Sequence, residues 1–463
     1  MSNGGQDEAG GWLVEHIDRL ATMGGGGELT DAWIAVSNGV VQEIGQGSPA
    51  ERWAHLPRSS GRGTVGLPGL INAHHHFSQT LTRTLKEGQD QRLEPWLVAN
   101  NPWWEQLDLD AVHRSSRVAL AELALSGCST TVDHMFAVPQ HSAGTIAFAA
   151  AEFEAAKAVG IRLHLIPGIV DGGLHPLGAK WKLARDPDLV LQEMDDIAAR
   201  FHDSAEDAMH QVGLGPDALS DQNLGVMAGA REIAHRRHLI RHTHCAQVVG
   251  EVAYCQDHYQ MTPIERLDHL GWLGEDVLIA HAVQLTPADI ERLASTRTKV
   301  AHCPSSNMRL AAGAAPLIDL LAAGVDVALG VDGSASGESG NLLSEARQAM
   351  LLSRVREMDR ILGARQALSL LTLGGASALH RTALGHLAPG LPADLALFKM
   401  DGIGWAGMEH DPIAALVFGG PHRVDRLWVQ GEAVVSSGRL MNEDEQELVE
   451  RHADAIRRIG AAR

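Results

Sequence analysis

Cysteine is scarce: four in 463 residues (Cys128, Cys245, Cys255 and Cys303), with no C-x-x-C pair. That excludes a disulfide framework and points to a reducing compartment. Basic charge is also short. Lys+Arg is 38 against 57 Asp+Glu, a formal net charge of −19 with neutral histidines, and the chain has no Lys/Arg-rich run. Binding to phosphate backbones needs a basic face, so nucleic acid is not an expected partner. No apolar run approaches the roughly 20 residues that span a bilayer. The most apolar helical stretch, 145–159, is interrupted by Glu152, Glu154 and Lys157. The start, MSNGGQDEAGG, has neither a basic nor an apolar leader region. A cytoplasmic protein without a membrane partner is therefore the expectation. With 45% hydrophobic and 21% charged residues the composition is that of an ordered globular chain, long enough for one large domain and a smaller one.

What the chain has in number is histidine, 25 residues. Those beside charges, such as His16, His113, His235 and His452, read as surface. The informative ones end apolar runs. The first 60 residues read as small β structure: a strand at Trp12–His16, then an alternating segment at Asp31–Ile44 with Asn38-Gly39 as a two-residue hairpin turn. Matching pieces close the chain at Ala393–Phe398, Arg426–Gln430 and Ala433–Val435, before a charged, helical tail over 443–463.

Between these ends, short apolar strands alternate with helices. Strands are expected at Val65–Asn72, Ser129–Asp133, Arg162–Pro167, Gln211–Gly215, Leu239–His242, Val277–Ala280, Lys299–Ala301 and Val327–Val331. Helices are expected at Asp110–Leu125, Thr145–Val159, Leu189–Phe201, Leu224–His235, Pro287–Ala294 and Pro316–Ala323. Eight such units predict an α/β fold, a (β/α)8 TIM barrel over 67–385, with a small β-sandwich domain built from 1–66 and 386–463. The Gly/Pro-rich segment Gly168–Pro187 has the length of a lid or binding loop.

Polar residues collect where these strands end, which is where such a barrel places its active site. In Asn72-Ala73-His74-His75-His76 an extended chain sends His74 and His76 to one side, so two imidazoles reach one metal ion. Alone, H-x-H is a weak signal. Here it is joined by His242-Thr243-His244, Ala280-His281, Ala301-His302 and Gly330-Val331-Asp332-Gly333. Packing does not explain five polar strand ends in one barrel. Imidazole and carboxylate suit Zn2+ first and Fe2+ as the alternative.

The ordered motifs PGLINAHHHFSQTLTR, HTHCAQ, AHAVQL, AHCPSSNMRL and LGVDGSAS resemble the amidohydrolase superfamily in its cytosine/guanine deaminase-like branch. They are most similar to 8-oxoguanine deaminases, with triazine hydrolases and isoxanthopterin deaminases nearby. The resemblance implies one divalent metal, Zn2+ before Fe2+, held by His74, His76, His244 and Asp332. It implies that His281 bonds to the attacking water or the tetrahedral intermediate, that Asp332 takes the water's proton, and that Gln79 contacts substrate. The family usually carries a proton-shuttling glutamate three residues after the second histidine of the fifth strand; here that position is Gln247, whose amide cannot ionise.

Trp96, near Trp103 and Trp104, is a further candidate to stack on a planar ring, with loop packing or a subunit interface as the alternative. Homo-oligomers are common in the families it resembles. Cys245 and Cys303 are expected to face away from the site, and Ser305 and Ser306 to touch substrate or cap a helix.

The implied activity is hydrolytic deamination of a small-molecule aromatic N-heterocycle. An 8-oxoguanine-like purine comes first, a pterin next, then displacement of chloride or an alkylamine from an s-triazine. A different class stays open: a metal-containing binding protein in which Gln247 leaves little turnover.

Overall fold

The computed structural model describes residues 10–140, 142–168, 183, 185–218, 224–420 and 422–462. Seventeen strands are present among them: β1 Trp12–Ala21, β2 Glu28–Ser37, β3 Val40–Gln46, β4 Arg58–Ser60, β5 Thr64–Pro68, β6 Leu70–Asn72, β7 Cys128–Met135, β8 Arg162–Pro167, β9 His210–Val212, β10 Arg241–Cys245, β11 Val277–His281, β12 Lys299–His302, β13 Val327–Leu329, β14 Leu395–Lys399, β15 Arg426–Val429, β16 Glu432–Ser436 and β17 Arg439–Leu440. Most of the segment expected as a loop over 168–187 lies outside the described residues.

Eight parallel strands form the barrel, in two runs ordered β6-β7-β8-β9 and β10-β11-β12-β13. Both seams are closed by backbone hydrogen bonds. Leu214 N donates to Ile240 O and His242 N to Leu214 O on one side; Ala73 N donates to Leu329 O and Asp332 N to His74 O on the other. Inside, Ile71, Val132, Ile166, Ile240, Leu278 and Ala328 meet, with Leu379 and Leu384 from the chain after the last strand packed on the same cluster. These are the inward residues of alternating strands, filled with small and branched side chains as a packed barrel requires.

Both chain ends build the flanking sandwich sheet, ordered β17-β16-β15-β14-β5-β1-β2-β3 with β4 against β1. The Asn38-Gly39 turn forms as expected, both residues at positive φ (54° and 74°), because a tight hairpin needs that conformation to match strand twist. The expected first barrel strand, Val65–Asn72, is instead two strands. β5 pairs with β1 and β14 in the flanking sheet, and β6 pairs with β7 in the barrel. Gly69 is the break. A Cβ there would lie 2.4 Å from Ser129 Oγ, so only glycine lets the chain pass from one sheet to the other. A continuous apolar run is equally at home in either sheet, and periodicity does not mark the change.

Helices at Leu109–Leu125, Thr145–Val159, Pro187–Phe201, Leu224–Arg237, Pro287–Thr296 and Leu317–Ala322 agree with expectation within three residues at each end. Their starts are capped by side chains: Asp108 accepts from Ala111 N, Asp186 from Leu189 N, and Thr286 forms a capping box with Asp289. Leu93–Trp104, Val249–Tyr259 and Leu342–Arg356, outside the expected helices, are also helical.

Candidate metal centre

His74 and His76 follow β6, His244 lies within β10, His281 ends β11, and Asp332 sits three residues beyond β13. All are buried except His244, which is partly exposed. Strand alternation would turn His281 outward, since Leu278 faces in. A backbone turn at φ 77° brings it back to the mouth, and Asp332 is likewise held at φ 58°. Non-glycine residues hold such angles only where the surroundings enforce them, and they concentrate at functional sites. Gly330 makes the approach possible: a Cβ there would stand 2.7 Å from the His74 Cβ.

The hydrogen bonds set the tautomers. His242 Nδ1 faces Leu278 O at 2.8 Å, and a carbonyl only accepts, so Nδ1 carries the proton and His242 Nε2 is an acceptor. His74 Nδ1, 2.9 Å from that Nε2, must therefore donate. His76 Nδ1 donates to His134 O at 2.7 Å and His244 Nδ1 to Asp217 O at 2.5 Å. Each ring thus presents a bare lone pair on Nε2. His76 Nε2 and His244 Nε2 are 3.2 Å apart, and Asp332 Oδ1 is 3.4 Å from His74 Nε2 and 3.5 Å from His76 Nε2. With every Nδ1 proton committed elsewhere, no N–H of these rings bridges the facing acceptors. His74 Nε2 is buried with no hydrogen-bond partner among the described residues. Converging lone pairs of this kind repel unless a cation sits among them, and this donor set fits a divalent metal.

Burial keeps the rings neutral. It lowers the His76 and His281 pKa values to about 4 and takes His74 well below the usual imidazole range. Burial also opposes the Asp332 anion, but the neighbouring imidazoles, His74 first, outweigh it and hold its carboxyl well below the carboxylate range. Burial lowers the His244 pKa as well, so the imidazoles of His74, His76 and His244 are neutral and the Asp332 carboxylate ionised at neutral pH, the states that ligate a metal. His281 Nδ1 donates to Asn307 Oδ1 at 2.9 Å, and its Nε2 stands 3.9 Å from Asp332 Oδ2.

The other expected site residues divide. Gln79 is buried beside the loop after Asp332, where a Cβ on Gly333 would touch its Oε1, and that oxygen has no hydrogen-bond partner among the described residues. Gln247 is buried next to His244. Its backbone N–H is held by Glu251 Oε2 at 2.9 Å, while its amide bonds to no described residue. Trp96 donates its indole N–H to Ala335 O at 3.0 Å and packs edge-on against Trp104, so it forms the wall behind the 333–336 loop. Trp103 stands apart, facing Gly460 of the C-terminal helix. Ser306 Oγ bonds to Ser336 Oγ, whereas Ser305 N donates to Glu345 Oε2. Burial pushes the Cys245 and Cys303 thiols up, which makes them unreactive. His302, although it ends β12, is outside the groups of converging ligand atoms.

Two neighbours were not foreseen as site residues. His134, at the end of β7, has both ring nitrogens buried with no hydrogen bond among the described residues, and its Nδ1 is 3.6 Å from Asp217 Oδ1. It gives the same signal as the others, a histidine closing an apolar strand. Burial, with the Asp332 charge adding to it, raises the Asp217 pKa to about 7. Its place after the short fourth strand gave no periodic clue.

A search against protein-family models matches residues 65–434 to the amidohydrolase family. The chain belongs to the amidohydrolase family. This amidohydrolase is a metal-dependent hydrolase acting on C–N bonds, and its ligand cluster matches structures that hold zinc. It is 38% identical over 396 residues to an 8-oxoguanine deaminase of Pseudomonas aeruginosa, covering 84% of this chain and 86% of that protein. It is 32% identical to the hydroxydechloroatrazine ethylaminohydrolase of a Pseudomonas species, covering 86% of this chain and 83% of that one. Among solved structures, a glutamate-to-glutamine variant of the Arthrobacter aurescens atrazine chlorohydrolase, complexed with zinc and atraton, superposes with a TM-score of 0.89. It is 28% identical, covering 96% of this chain and 99% of that one. No helix among the described residues is long and apolar enough to cross a membrane.

Proposed function

We propose that this amidohydrolase deaminates an aromatic N-heterocycle, with an 8-oxoguanine-like purine as its first substrate class. The observation that carries this reading is the acceptor-only cluster of His74, His76, His244 and Asp332, with a second oriented imidazole, His281, beside the carboxylate. These four residues would hold one divalent metal, Zn2+ before Fe2+, which supplies Lewis-acid activation of water near neutral pH.

The chain's own groups do the rest. Asp332 accepts the proton released as water adds to the electron-poor ring carbon. His281 Nε2, fixed by Asn307, hydrogen-bonds the oxygen that is adding. The proton on Asp332 passes to the exocyclic nitrogen, the C–N bond breaks and ammonia leaves, and the proton of the added hydroxyl ends on the ring nitrogen as the ring carbon becomes a carbonyl. Gln79 Oε1 accepts from a ring N–H, and the Gln247 amide orients the ring without carrying protons. Trp96 closes the wall behind the loop that bears Asp332. The likeness to an 8-oxoguanine deaminase supports the purine.

A second reading, displacement from an s-triazine, is favoured by Gln247. An amide cannot protonate a leaving group, and chloride, unlike an amine, needs no proton to leave; separately, the chain is similar to an enzyme named as an ethylaminohydrolase, which acts on a triazine substituent. The test is ammonia release by zinc-loaded protein on 8-oxoguanine, guanine, isoxanthopterin and aminotriazines, with metal-stripped protein as control. Metal-dependent ammonia from the purine supports the first reading. Release of ethylamine or chloride from triazines, with none from purines, replaces it with the second. Inert but metal-loaded protein leaves binding without turnover.

A further inference from the structure

The opposite end of the barrel buries a second polar group. Arg162 opens β8 and Arg381 lies after the last barrel strand, 219 residues further on; both are 0% exposed. They grip one short stretch of chain from the same side. Arg381 Nε donates to Glu206 O at 2.8 Å, Arg162 Nε to Asp207 O at 3.0 Å, and Arg381 Nη2 to Ala208 O. Three consecutive carbonyls shared between them set the two guanidiniums side by side.

Among the described residues one carboxylate answers the two charges directly. Asp394 Oδ2 pairs with Arg162 Nη1 at 2.5 Å, and its other oxygen is taken by Gln430 N at 2.8 Å. The nearby Asp207 carboxylate is bonded to Gln430 Nε2 and that of Glu206 to Ala383 N, and neither forms an ion pair with Arg381. Arg162 Nη2 and Arg381 Nη1 are buried with no hydrogen-bond partner among the described residues, as are both nitrogens of His164, which points into the barrel two residues beyond Arg162. Burial first, then the Arg162 charge, lowers the Arg381 pKa to about 9; burial and the Arg381 charge keep His164 neutral.

An unpaired guanidinium N–H in a buried place costs more than an unpaired amide, because it is also an uncompensated charge. Two together, with a third polar group near them, call for an acceptor that carries negative charge. We propose that the floor of the barrel binds a small monovalent inorganic anion, of the chloride class, against Arg162 Nη2 and Arg381 Nη1. It balances the second guanidinium and so helps lock the 206–208 turn onto the barrel floor. The site is remote in chemistry from the metal centre: it offers donors where the mouth offers acceptors.

Two measurements on the full chain test this. Tm is followed from 5 to 200 mM sodium chloride, and in sodium gluconate at equal ionic strength. In parallel, a bromide-soaked crystal is searched for anomalous signal. The expected result is a saturable, halide-specific rise in Tm of about 2 °C or more, absent in Arg381→Gln, with a bromide peak between the two guanidiniums. If Arg381→Gln does not fold, the two wild-type measurements decide alone. Equal Tm in both salts, a water-only peak at the floor, or a bromide peak without a saturable effect in solution (an adventitious ion only) overturns the proposal.

Discussion

At its mouth the barrel buries His74, His76 and His244 with their protons turned outward and their lone pairs turned inward. At its floor it buries Arg162 and Arg381 with N–H groups left over. Both ends take polar side chains out of water without satisfying them inside the protein, but the surplus is of opposite kind. The mouth has acceptors and one carboxylate, and completes itself with a cation. The floor has donors and excess positive charge, and on our proposal completes itself with an anion. The two also differ in what they are built from. The four expected metal ligands come from three places in the cycle: His74 and His76 after β6, His244 within β10 and Asp332 beyond β13. The floor is held by guanidiniums reaching backbone carbonyls of one turn. Chemistry needs open strand ends; the opposite face of such a barrel serves stability.

The sharpest way to break the comparison is at the mouth. Asp332→Asn keeps the shape but removes both the ligand charge and the proton acceptor. It is expected to lower kcat by about 10²–10⁴ or more, with reduced zinc content by elemental analysis; unchanged turnover would remove Asp332 from the chemistry. The corresponding change at the floor, Arg162→Met, strands Asp394 without its guanidinium. It should cost about 3–5 kcal/mol of unfolding free energy in urea titration, while the folded fraction keeps its zinc. Loss of zinc from folded Arg162→Met would show that the two ends are not independent.

His242 is the intermediate case, because it acts through His74. His242→Leu frees the His74 proton to occupy Nε2, and zinc affinity by chelator competition should fall about 10–100-fold.

A smaller effect comes from Glu345, whose carboxyl burial raises to about 8 from an ordinary 4.5. The folded chain then keeps a proton that the unfolded chain has released, so stability falls as pH rises from about 4.5 to about 8. Glu345→Gln removes that slope, by at most about 1.4 kcal/mol per pH unit. Its Tm relative to wild type should therefore improve from pH 5 to pH 8; a constant difference would place the proton elsewhere. Least of all should Gln247→Glu matter. Turnover is expected to persist, and a large gain would mean that the native amide limits proton transfer.

Much of the mouth was legible. Alternation places His74 and His76 on one side, and the eight apolar strands with their intervening helices carry the period of the fold. The passage of Val65–Asn72 from one sheet to another was not legible, since both sheets want the same apolar residues and only the clash at Gly69 records the crossing. His134 gave the same sign as its neighbours but gained meaning only once Asp217 stood 3.6 Å away. The three tryptophans look like one group in the chain, yet Trp96 and Trp104 pack together while Trp103 turns to the C-terminal helix.

The sequence by itself determined the barrel, the flanking sheet made from both ends, and the residue types gathered at the mouth, because strand and helix periods and strand-end residues are local properties. Only the tertiary structure decided which nitrogen of each histidine is bare, since that depends on carbonyls such as Leu278 O and Asp217 O contributed by other segments. It alone brought Arg162 and Arg381 together, because two side chains so far apart in sequence share a place only once the barrel has closed.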